Sequence, residues 1–143
     1  LIINDRSDIA LAVGADGVVH AAPKGTLYVD EAGYLQYAEL FEASKSYRNV
    51  TASLWFDKKV AVLIIGKNRE AYEVTGSVRK ISVAGRKFEE VYRKIQEEKG
   101  FDLAAVVTIV PEKVEDLQPG KKFEEQEQNH FFFKHLDRIA KPL

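Results

Sequence analysis

The chain of 143 residues contains no cysteine and no methionine. Without thiols there is no disulfide, no thiolate metal site and no thiol chemistry, and a cytoplasmic setting is the expectation. The missing methionine includes an initiator, so the first residues say little about targeting. No apolar run is long enough to cross a bilayer and no signal-peptide pattern opens the chain, so no membrane partner is expected. A formal net charge of -1 gives no global field for capturing nucleic acid, and any anion binding has to be local. No nucleophile and base stand at a recognisable spacing, and there is no glycine-rich dinucleotide fingerprint. His130 and His135 are poorly spaced for one helical face, and no carboxylate pattern completes a metal site around them.

With 45% hydrophobic and 30% charged residues, the composition is that of an ordinary soluble globular domain. Ile9, Leu11 and Val13 alternate with smaller residues, Asp16-Gly17 supplies a tight hairpin turn, and residues 18–22 return as the partner strand. Residues 26–29 form a third strand, 30–33 a turn and 34–38 a fourth strand. This close spacing favours an antiparallel meander. Residues 60–65 are a continuous apolar run, hence a buried strand. After a turn at 66–69, a long strand runs from 70 to about 83, with Gly76 as a bend or bulge. Phe88, Val91, Tyr92 and Ile95 follow helical spacing up to Gly100. Residues 103–110 form a last apolar strand that Pro111 stops or redirects. The expectation is a mainly β, α+β domain over residues 1–120, its small sheet closed on itself to remove exposed edges. Residues 121–143 form a polar tail ending in a basic segment. Phe131, Phe132 and Phe133 within it cannot share one helix face, which suggests docking on the barrel or on a second subunit.

Chemistry concentrates in Ser44-Lys45-Ser46-Tyr47-Arg48-Asn49-Val50. A hydroxyl at a helix start leaves backbone N–H groups pointing outward, where the helix dipole adds partial positive charge. Lys45 and Arg48 lie on one side of the first turn, beside Ser46. That arrangement can hold a phosphate. Taken alone, the same stretch is a capped helix with a solvated basic face. Trp55 reads as core or subunit interface.

The ordered set of motifs resembles the pyridoxamine 5′-phosphate oxidase-like, FMN-binding split-barrel family. Asp16-Gly17 leads into His20-Ala21-Ala22-Pro23, then Lys24-Gly25-Thr26-Leu27-Tyr28-Val29, a hairpin, and Lys45-Ser46-Tyr47-Arg48-Asn49-Val50. An apolar strand, a strand containing Gly76, a helix and a last apolar strand complete the pattern over residues 8–118. The resemblance implies an antiparallel split β-barrel with two or three flanking helices, and a homodimer holding FMN between subunits. It implies that Lys45 and Ser46 grip the FMN phosphate and that Pro23, Lys24, Gly25 and Thr26 line the isoalloxazine ring. Phe41, Glu42, Ala43 and Ser44 match the loop before the grip, and Asn49 completes the cofactor set. Glycine at 25 would let a flat ring approach the backbone closely. Glu42 departs from the pattern, since a carboxylate beside a phosphate is unfavourable unless it points away.

What the resemblance implies functionally is an FMN-dependent oxidoreductase or electron carrier with a small-molecule electron donor or acceptor. The flavin would carry the chemistry, which fits the lack of a catalytic constellation. Pyridoxamine 5′-phosphate oxidase activity itself is disfavoured, because the tail at 136–143 lacks the arginine-rich motif for the vitamin phosphate. A deazaflavin or haem in the same cleft, or a flavin-binding stress module without turnover, are the alternatives. His20 reads as a half-buried structural histidine, or as a residue near iron in a haem-binding relative.

Overall fold

The computed structural model describes residues 7–14 and 16–129. His130, His135 and Phe131 to Phe133 lie outside the described residues. Among those described there are seven strands and three helices: β1 (Ser7–Val13), β2 (Val19–Pro23), β3 (Tyr28–Val29), β4 (Leu35–Glu39), α1 (Lys45–Phe56), β5 (Lys59–Ile65), β6 (Ala71–Ser82), α2 (Arg86–Lys99), β7 (Ala105–Asp116) and α3 (Pro119–Asn129).

Local chemistry accounts for the punctuation. Gly17 takes φ 82° in the β1–β2 hairpin and Gly33 takes φ 85° in the β3–β4 turn, a region that L side chains avoid. In that second turn the Asp30 carboxylate accepts from the amides of Ala32 and Tyr34, both at 2.9 Å. Ser44 caps α1, its hydroxyl accepting from the Tyr47 amide at 2.9 Å. Gly100 closes α2 in the left-handed conformation.

Every ladder is antiparallel, in the order β2-β1-β5-β6-β7-β4-β3. The hairpins β1–β2, β3–β4 and β5–β6 are the expected meander. Two consecutive pairs are not: among the described residues no ladder joins β2 to β3 or β4 to β5. Instead α1 carries the chain across, so that β5 pairs with β1 and β4 pairs with β7. The sheet therefore has two ends, β2 and β3, in place of the full closure expected from the strand count.

Two apolar clusters lie on opposite faces of β4 and β7. Leu35, Tyr37, Val107 and Ile109 point into the interior with Leu27, Val60, Val62, Val74, Val78 and Val50 of α1. Ala38 and Val106 point the other way, against Ile95 of α2 and Leu103. All five residues of β4 are buried because both of its faces are covered.

Gly76 sits at a register shift between Thr75 and Gly76, opposite Pro111. Pro111 does not stop β7, which continues to Asp116. Its missing N–H falls where the ladder is already broken. A Cβ at Gly76 would lie 2.2 Å from the Val110 carbonyl oxygen, so a backbone atom fills that space. Gly76→Ala is expected to cost at least the ~1–3 kcal/mol typical of overpacking, read as a lower urea midpoint. An unchanged midpoint would mean that β7 shifts aside freely.

Candidate functional site

The expected site residues divide into three groups. Pro23 ends β2 and is exposed, and residues 24–27 form the connection to β3. Thr26 is locked to β4 in both directions: its hydroxyl donates to the Ala38 carbonyl at 3.2 Å and accepts from the Ala38 amide at 3.0 Å. Gly25 is exposed, and a Cβ placed there would meet nothing within 4 Å. Phe41, Glu42 and Ala43 form an exposed turn closed by the Ser44 amide on the Phe41 carbonyl at 3.2 Å. Ser44, Lys45 and Ser46 are the cap and first turn of α1. Lys45 is exposed, and among the described residues no ion pair or hydrogen bond holds its side chain; Ser46 is buried. Asn49 is buried and turned elsewhere, its amide donating to the Val18 carbonyl in the β1–β2 hairpin at 3.2 Å.

The connection between the 23–26 strand end and the cap of α1 is Glu39, absent from the residues expected from sequence. Its side chain is 2% exposed. One carboxylate oxygen pairs with Lys24 Nζ at 3.2 Å and the other accepts from the Ser44 hydroxyl at 3.1 Å. A single buried carboxylate thus ties the 23–26 strand end to the cap of α1. The signal available in sequence was strand alternation, since Glu39 stands two residues after Tyr37 and shares its face. Lys24 Nζ also lies 5.1 Å from the Tyr37 ring centroid. The Tyr37 hydroxyl is buried and, among the described residues, has no hydrogen-bond partner. Burial, then the Glu39 charge, push its ionisation well above the ordinary tyrosine value, so it stays a neutral phenol.

Other candidates resolve simply. His20 is half-buried on β2. Trp55 is 79% exposed at the end of α1, which removes the core reading and leaves a subunit interface or a flavin edge. Beside it Phe56 is exposed, as is Phe41 before the helix.

A cavity of about 420 Å³ opens on the far side of β4, between residues 25–28 and α2. It takes Gly25 and Thr26 from the expected ring strand but none of residues 41–49. The cavity and the start of α1 are therefore separate features of the surface. The α1 start is the better candidate for a phosphate, because it offers uncommitted donors and a free cation in one place.

No family model matches the sequence, and no curated protein matches it. Solved structures do. HupZ of Group A Streptococcus superposes with a TM-score of 0.70, over 82% of this chain and 90% of its own, at 20% identity. An FMN-binding protein from Syntrophomonas wolfei subsp. wolfei gives 0.65 over 78% and 76%, at 14% identity. HutZ, the haem storage protein from Vibrio cholerae, gives 0.56 over 77% and 84%, at 12% identity. At such identities the likeness is one of fold.

Proposed function

From the split-barrel fold that this chain shares with pyridoxamine 5′-phosphate oxidase-like proteins, we propose that it is an FMN-binding redox protein acting as a homodimer. The observation that carries this reading is the Glu39 link. It holds the 23–26 strand end and the capped start of α1 in one fixed arrangement, which a ligand with a flat ring at one end and a phosphate at the other requires. The residues present fit such a group. The first amides of α1 have no intrahelical acceptor, and Lys45 adds a free charge beside them. Open space beside Gly25 leaves room for a ring against the backbone. Glu42 lies in the exposed turn and can face water.

When bound, FMN would supply the electron or hydride transfer. The chain's own part is to grip the phosphate, orient the ring and limit water around it. Lys24 is committed to Glu39, so Lys45, with Arg48 beside it on the first turn, supplies positive charge for the phosphate. The exposed Phe41, Trp55 and Phe56 support a second copy covering this side, since large aromatics left in water favour burial. A small molecule would then deliver or accept electrons.

The test is an absorption spectrum of the purified chain together with solution scattering. Flavin bands in a protein of twice the chain mass are expected, and turnover with NAD(P)H would separate an oxidoreductase from a storage or stress module. A Soret band would place haem in the cleft. A monomer that retains FMN tightly would overturn the shared-site reading.

A further inference from the structure

The cavity between residues 25–28 and α2 lies on the opposite face of β4 from the α1 start. Ala38 lines it, while its strand neighbours Tyr37 and Glu39 point the other way. The floor is apolar: Ala38 and Ile95 are buried there, with Val91 beside them. One wall is the Tyr28 ring, whose orientation is fixed from behind. Its hydroxyl bonds Gln36 Oε1, and the Gln36 amide donates to Asp30 at 3.1 Å and to Thr108 at 3.3 Å. Lys87 Nζ stands 5.4 Å from the centroid of that ring.

The rim is charged, with one more lysine than glutamate. Lys87, Lys94 and Lys99 line it against Glu90 and Glu98, and Glu90 is already approached by Arg86 at 3.7 Å. Among the described residues none of the three lysines has an ion-pair partner. An apolar slot, a locked aromatic wall and unpaired ammonium groups at its mouth suit one kind of ligand, a flat apolar body carrying a negative charge. We infer that this cavity binds a small aromatic carboxylate, at a site distinct from the one proposed for the FMN phosphate. The inference stands on the cavity alone and does not depend on the flavin reading. A volume of about 420 Å³ suits a ligand of one or two fused rings.

The probe is 2-naphthoate, titrated into the full chain and followed by amide chemical shifts. Saturable shifts at Thr26, Tyr28, Ala38 and Val91 are expected. The neutral 2-naphthalenemethanol should bind about three- to tenfold more weakly, the range that two solvent-exposed ion contacts supply. Lys87→Ala/Lys94→Ala should lose that preference, and 1 M salt should erase it in the parent chain. Val91→Phe fills the slot and should abolish binding of both the acid and the alcohol. Shifts confined to the exposed aromatics of α1, or equal affinity for acid and alcohol, would overturn the proposal. Displacement of naphthoate by inorganic phosphate would also overturn it, since the carboxylate would then sit at the start of α1. Loss of FMN binding alone, with naphthoate retained, would count only against the flavin proposal.

Discussion

Lys45→Ala is expected to weaken FMN binding roughly ten- to a hundredfold while leaving riboflavin, which has no phosphate, nearly unchanged. A charge-assisted hydrogen bond is worth about 1.5–3 kcal/mol, and each 1.4 kcal/mol is about tenfold in affinity. Exposure of Lys45 in the single chain favours the lower end, because water screens the charge. A partner subunit covering the α1 start would push the effect upward. Ser46→Ala should act in the same direction more mildly. Arg48→Ala tests whether the second cation of the turn reaches the phosphate or only faces solvent. The decisive measurement is titration of both ligands into parent and Lys45→Ala chains. Equal weakening of FMN and riboflavin would make Lys45 structural and place the phosphate elsewhere.

Glu39→Leu should have the largest effect on stability, about 3–5 kcal/mol, read from the urea midpoint. Removing one partner of a buried pair leaves the other charge uncompensated, and that penalty dominates. Lys24, 11% exposed, would be the stranded charge, and the Ser44 hydroxyl would lose its acceptor. The double variant Lys24→Met/Glu39→Leu should recover most of the loss, since replacing a whole buried pair by apolar groups is often neutral. Recovered stability without recovered FMN affinity would show that the pair serves to set the strand end against the helix cap. A Glu39→Leu chain within 1 kcal/mol of the parent would remove Glu39 from that role.

Where the sequence was readable, the governing physics was local. Asp16-Gly17, residues 30–33, Ser44 and Gly100 announced turns and caps, because φ > 0 and short side-chain-to-backbone bonds act within a few residues. Gly76 was readable as a bulge for a related reason, an isolated glycine within an otherwise continuous strand. The amphipathic face of α2 was legible from its spacing. The order of motifs also pointed to the split barrel.

Distant pairing was not readable. Nothing near Leu35 states that its partner is Ile109, or that α1 separates strands that a meander would pair. Pro111 looked like a stop, and only its alignment with Gly76 shows why β7 passes through it. Trp55 has the side chain of a core residue yet is exposed on the single chain, because the orientation of α1 is set by Val50 entering the interior. Glu39 and Lys24, 15 residues apart, met because β4 and the end of β2 converge there. Short-range sequence set the turns, the caps, the apolar faces and the chemistry available at the start of α1. The tertiary structure decided which of those groups share a carboxylate, which cation stays free and where a cavity opens, because burial and long-range strand pairing depend on residues that no short window contains.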